Sequence, residues 1–274
     1  MRLKKIFMFL FLQTILFCVI ISCTKPPNNN IAINNNDTSA TNNNDTTMNI
    51  DSTGTTDTTS NVDTTGAIDT AANTGNFNWL ALGDSYTIGQ SVSEAERFPA
   101  QTISLLKNDS LFIKSPQYIA TTGWTTLNLL AGIASQNPQG PFDIVSLLIG
   151  VNDQYQHFDT GAYRIHFEQC LQQAIALSGN NKEHVFVLSI PDYSVTPFAQ
   201  YNDTAQIRKE LDRFNAINKE ITLAYNISYT DITPFTREAK NDVSLIAGDG
   251  LHPSGKEYAK WSALLAPEIK KVLQ

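Results

Sequence analysis

Two apolar patterns alternate along residues 77–274. Short, nearly continuous apolar runs fall at 79–82, 142–149 and 185–190, and 117–120 and 227–232 are further strand candidates. Runs of this length without polar alternation predict strands covered on both faces. Between them apolar residues recur at helical spacing. Residues 94–107 carry Phe98, Ile103, Leu105 and Leu106, with Pro99 near the start. Residues 125–135 carry Leu127, Leu130, Ala131 and Ala134 as one stripe. Residues 163–177 carry Ile165, Phe167, Cys170, Leu171, Ala174 and Ile175, and 205–225 carry Ile207, Leu211, Phe214, Ile217 and Ile221. A last helix is predicted over 254–272. Strands alternating with helices predict an α/β fold, a three-layer α/β/α doubly wound parallel sheet.

The polar insertions fall in one phase of that alternation. Gly83-Asp84-Ser85 follows the first strand, Thr121-Thr122-Gly123-Trp124 the second, and Gly150-Val151-Asn152-Asp153 the third. Each lies where β runs into α, so all three converge on one edge of the sheet, where open α/β sheets bind ligands. A fourth insertion, 248–254, is a Gly-rich loop before the last helix; it contains Asp249, Gly250 and His252.

Residues 1–76 are patterned differently. Residues 1–5 are basic, 6–21 are an apolar run, and Ser22-Cys23 closes it. So short a run with a basic flank reads as a secretory signal rather than a membrane span. The boundary resembles the lipobox of bacterial lipoproteins. That resemblance implies a signal peptide over 1–22, cleavage before Cys23, acylation of Cys23, and anchoring to a membrane of the cell envelope. Residues 23–76 are rich in Asn, Thr, Asp and Ser and nearly free of large apolar side chains, so they predict a disordered linker. Asp45, Asp51, Asp57, Asp63 and Asp69 recur every six residues, each followed by Ser or Thr. Too few apolar residues accompany them for a solenoid core. A tether of that length spans about 40 Å on average. Its triplets resemble an O-glycosylation pattern of some Gram-negative bacteria.

Charge narrows the partners. The 274-residue chain has 19 basic and 26 acidic residues and a net charge of -7. An acidic chain lacks the basic face that nucleic-acid binding requires. Of the three cysteines, Cys18 lies in the leader and Cys170 on a predicted helix, and no spacing suggests a disulfide framework or zinc site. No metal or other cofactor is expected. His157, His166 and His184 read as surface or satisfied core histidines.

Gly83-Asp84-Ser85, Gly123, Gly150-Val151-Asn152-Asp153 and Asp249-Gly250-Leu251-His252 occur in the order of the SGNH, or GDSL, hydrolases. The chain resembles that family over about 78–272. The resemblance implies a flavodoxin-like sheet, a catalytic triad of Ser85, Asp249 and His252, and an oxyanion hole of the Ser85 and Gly123 backbone N–H groups and the Asn152 amide. The chain also resembles a subgroup with Ser189-Ile190-Pro191-Asp192-Tyr193 and Thr196-Pro197-Phe198, a segment to which the reading assigns no role.

The chemistry suits these residue types. A serine hydroxyl needs a base to become a nucleophile. An imidazole titrates near neutrality, and a carboxylate three residues before it can fix its tautomer. A neutral amide donates without a proton to lose. Asp84 and Asp153 are expected to order their loops. Tyr86, Trp124 and Tyr155 are expected to wall a pocket or to fill core. The implied function is a serine esterase acting on a small-molecule or glycan ester. An acyltransferase with the same triad and a non-catalytic glycan-binding surface lipoprotein remain as alternatives.

Overall fold

The computed structural model describes residues 76–274. The leader, Cys23 and the polar linker lie outside the described residues.

Five parallel strands form one sheet in the order β2-β1-β3-β4-β5. They are β1 (Trp79–Gly83), β2 (Gln117–Ala120), β3 (Ile144–Leu148), β4 (Val185–Leu188) and β5 (Ser228–Thr230). The three central strands are buried at every position, which is why they read as continuous apolar runs. The buried Ser146 hydroxyl in β3 accepts from the indole N–H of Trp79 in β1 at 3.0 Å. That bond lets two polar groups sit inside the core without cost.

The helices are α1 (Ser85–Ile88), α2 (Phe98–Lys107), α3 (Thr126–Gln136), α4 (Val151–Tyr155), α5 (Thr160–Leu177), α6 (Thr204–Ala224), α7 (Thr233–Thr236) and α8 (Gly255–Leu273). α2 packs on α8, while α3 and α6 both pack on α5. These two groups cover the sheet as the outer layers expected from the sequence. Side chains start the long helices: Asp159 caps α5 through Gly161 N and Ala162 N, and Asp203 caps α6 through Gln206 N.

Three expectations change in detail. The segment 94–107 is not one helix: a 3-10 turn, Glu94–Glu96, precedes α2, which begins at Phe98. Pro99 sits in its first turn, where its missing N–H costs nothing. In α3 the buried face is Thr126, Leu129, Gly132 and Ile133, and Leu127 is exposed. The expected stripe lay on the wrong face because Thr and Gly do not register as apolar. Ile165 of α5 also faces solvent.

Strand order reverses at β1, which has β2 on one side and β3 on the other. The loops leaving β1 and β3 diverge there and open a crevice at the carboxyl edge. Gly83-Asp84-Ser85 and Gly150-Val151-Asn152-Asp153 occupy its two sides.

Candidate active site

The turn after β1 is forced into shape by packing. A Cβ on Gly83 would stand 2.1 Å from Thr87 Oγ1 and 2.3 Å from the Leu148 carbonyl oxygen. Glycine alone lets β1 run this close to β3 and turn at once into α1. Asp84 is the N-cap of α1, and its Oδ1 accepts from Tyr86 N at 3.0 Å. Burial, reinforced by the nearby Asp153 and opposed by the Tyr86 N–H, pushes its carboxyl up to about 8. Ser85 follows as the first residue of α1, where backbone N–H groups have no intrahelical carbonyl.

Asp153 ties the third loop to the second. Its carboxylate accepts from Thr126 N at 2.9 Å and Thr126 Oγ1 at 2.5 Å. Its burial raises the carboxyl above the ordinary range. Asn152 makes a parallel link, donating from Nδ2 to the Trp124 carbonyl at 3.0 Å. The amide nitrogen retains a second N–H.

Asp249 and His252 form the tightest unit. Asp249 Oδ2 lies 2.6 Å from His252 Nδ1, and Oδ1 accepts from His252 N and Leu251 N at 3.0 Å each. Ser91 Oγ donates to Oδ2 at 2.6 Å. Partial burial works against the charge of Asp249. The bonds from Ser91, His252 and the two backbone N–H groups outweigh it and hold the carboxyl well below the usual range. Ser91 was not anticipated; it lies beyond the Gly-Asp-Ser motif, at φ 67°. A polar residue just past that turn was its only sequence signal.

Ser85, Asn152 and His252 line one cavity of about 110 Å³, together with Tyr86, Tyr155, Tyr193 and Phe198. No hydrogen bond joins Ser85 to His252. The Tyr86 ring lies against the imidazole with centroids 5.1 Å apart. Gly123 does not line the cavity. It sits exposed at φ +83°, a backbone conformation open to glycine, with open space where a Cβ would be. Conformation, rather than a close approach by neighbouring protein, is what calls for glycine there.

Of the three aromatics beside the motifs, Tyr86 and Tyr155 face the cavity. Trp124 instead covers Gly132 of α3, where a Cβ would meet its ring at 2.3 Å. The 189–198 segment supplies two more rings of the wall, Tyr193 and Phe198. Tyr155, Tyr193 and Phe198 touch pairwise, with centroids 6.0–6.3 Å apart. Tyr193 is fixed by its hydroxyl, which donates to Gln154 Oε1 at 2.9 Å. None of the other histidines lines the cavity. His157 is exposed, and His166 is half-buried with its Nδ1 without a partner among the described residues. Cys170 is buried in α5, and burial raises its thiol far above the ordinary range.

A doubly wound sheet that brings a serine and a carboxylate-bound imidazole to one cavity at its switch point is built as an ester hydrolase. The family model for GDSL-like lipases and acylhydrolases matches residues 81–260, and the chain belongs to that family. No curated protein matches the sequence. Solved structures share the fold. The psychrotrophic esterase EstA from Pseudoalteromonas sp. is 16% identical, with a TM-score of 0.56 over 72% of this chain and 99% of its own. A lipase/acylhydrolase from Enterococcus faecalis is 19% identical, with a TM-score of 0.53 over 71% and 96%. The acetylxylan esterase Axe2 from Geobacillus stearothermophilus is 20% identical, with a TM-score of 0.52 over 71% and 94%.

Proposed function

We propose that the chain hydrolyses short-chain carboxylic esters through an acyl-Ser85 intermediate, and that its natural substrate is an O-acetylated glycan. The reading is carried by one observation: Ser85 and His252 face the same cavity while Asp249 holds the far nitrogen of the imidazole. An anionic Asp249 keeps the proton on Nδ1, which leaves Nε2 free as a base.

In the first half-reaction Ser85 Oγ attacks the carbonyl carbon and its proton passes to His252 Nε2. The oxyanion that forms takes hydrogen bonds from the Ser85 N–H and from the free N–H of Asn152. The C–O bond to the alcohol then breaks, and His252 returns the proton to the leaving oxygen. Water repeats the sequence on the acyl-serine and releases the acid. Every proton taken is given back, and the chain's own residues carry each step.

Two observations support a short acyl group. A cavity of about 110 Å³ is small beside the ~300–1,000 Å³ of sites that hold drug-sized ligands. Its wall is closed by three aromatic rings. The glycan reading draws on the acetylxylan esterase among the structures that share the fold and on the envelope location expected from the leader. There, acyl chains on Cys23 tether the enzyme, and the intact mass of detergent-extracted protein checks that anchor.

The test compares wild type with Ser85→Ala on p-nitrophenyl acetate, with a fluorophosphonate probe alongside. Wild type turns over the ester and is labelled on Ser85; the variant does neither. Equal turnover in both proteins defeats the proposal.

A further inference from the structure

On the far side of the 193–200 loop lies a groove of about 610 Å³, much larger than the cavity at Ser85. The loop is a partition between the two. Tyr193 and Phe198 turn to the Ser85 side, while Ser194, Thr196 and Pro197 line the groove. Phe198 N donates to the Gly250 carbonyl at 3.0 Å, which ties this partition to the loop carrying Asp249 and His252. Thr196, Ala239 and Ile246 line both the groove and a small cavity that reaches His252. The groove therefore shares part of its lining with the space beside His252.

The charge of the groove is opposite to that of the protein. The net charge is -7, yet Arg208 and Lys240 line the groove and, among the described residues, no carboxylate does. Of the acids near it in sequence, Asp203 caps α6 through Gln206 N, and the others hold cations, Arg208 of the groove among them. Asp192 takes Arg237 Nε at 2.7 Å, Glu238 takes Lys260 at 2.7 Å, and Asp242 takes Lys256 at 2.7 Å. Arg208 reaches Asp192 through Nε at 3.4 Å, and its terminal nitrogens make no hydrogen bond among the described residues. Lys240 is exposed and has no ion pair among them. The polar Ser194, Thr196, Gln200 and Thr204 share the lining with the apolar Pro197 and Val243. Alternating polar and apolar lining fits a sugar ring, which carries hydroxyls at its edge and C–H groups on its faces. Lys240 and the terminal nitrogens of Arg208, whose Nε is held by Asp192, fit a carboxylate.

We propose that this groove is a second binding site, which holds a carboxylate-bearing, uronate-type sugar of the glycan whose ester is cleaved at Ser85. The proposal rests on the glycan-ester reading and adds that the alcohol part of the substrate is acidic. It assigns Arg208 and Lys240 to substrate binding and leaves the acyl cavity unchanged.

Binding without chemistry separates this proposal from the esterase reading. The full chain is titrated calorimetrically with unesterified trigalacturonate and with xylotriose, as wild type, Lys240→Glu and Arg208→Gln. Trigalacturonate is expected to bind at least about tenfold more tightly than xylotriose, and each substitution to weaken it by about tenfold. Equal affinity for the two trisaccharides overturns the acidic site. Unchanged trigalacturonate binding in Lys240→Glu, an exposed position that folding tolerates, also overturns it. Failure of Ser85→Ala to abolish ester turnover defeats the esterase reading instead, and it leaves the titration result standing by itself.

Discussion

Asp249 holds His252 twice: Oδ2 meets Nδ1 of the ring at 2.6 Å, and Oδ1 meets the backbone N of the same residue at 3.0 Å. One carboxylate thus orients both the imidazole and the loop that carries it. Asp249→Asn keeps the shape but presents an amide that can donate toward Nδ1, favouring the tautomer with its proton on Nε2. The expected outcome is a fall in kcat of about 10³–10⁴-fold on p-nitrophenyl acetate with little change in KM.

Ser91 acts only through Asp249, to which it donates at 2.6 Å. It is a positioning residue, and Ser91→Gly isolates that role. Glycine accepts φ 67° without strain, so the melting temperature should hold while the hydroxyl is lost. We expect kcat to fall about tenfold, the size of one hydrogen bond to a charged group. An unchanged kcat would show that the remaining bonds to Asp249 suffice.

Buried Asp84 gives stability a specific pH dependence. Its folded-state pKa, about 8, lies above the ~3.9 of an exposed aspartate. Between those values the folded state holds a proton that the unfolded chain has lost, so stability falls as pH rises from about 4 to about 8. Asp84→Asn stays neutral and can still accept from Tyr86 N. It should flatten that part of the profile, measured as melting temperature against pH, and match or exceed wild type at pH 8.

Asn152 donates to the Trp124 carbonyl with one N–H and, on the proposed mechanism, to the oxyanion with the other. Asn152→Ala should reduce kcat by about 10²–10³-fold. A loss confined to KM would place Asn152 in substrate binding instead.

On the proposed function, the Tyr155–Tyr193–Phe198 wall sets the acyl limit. Phe198 and Tyr155 are partly exposed, so truncating either opens the cavity without emptying the core. Phe198→Ala and Tyr155→Ala should shift preference along a series of p-nitrophenyl esters from acetate toward butyrate and hexanoate. An unchanged series would mean that another surface limits chain length.

Much was legible in the linear chain because it depends on local chemistry. Continuous burial of β1, β3 and β4 demands unbroken apolar runs, and glycine at 83 and 150 marks turns that side chains would block. The pairing of Asp249 with His252 is also local, since three residues of loop are enough to close it. These features leave their mark in residue type and spacing at the position itself, even where the neighbour that requires it, such as Leu148 beside Gly83, is distant in sequence.

Other features depend on which distant segments meet, and only the tertiary structure decided them. The buried face of α3 includes Thr126 and Gly132, because Asp153 satisfies the threonine and Trp124 fills the space above the glycine. Ser91 reaches Asp249 across 158 residues of chain. The 189–198 segment becomes a pocket wall on one side and a groove lining on the other only because it packs beside Tyr155 and Gly250. Contact energy between residues far apart in the chain has no periodic signature, so no pattern of apolar and polar positions can carry it.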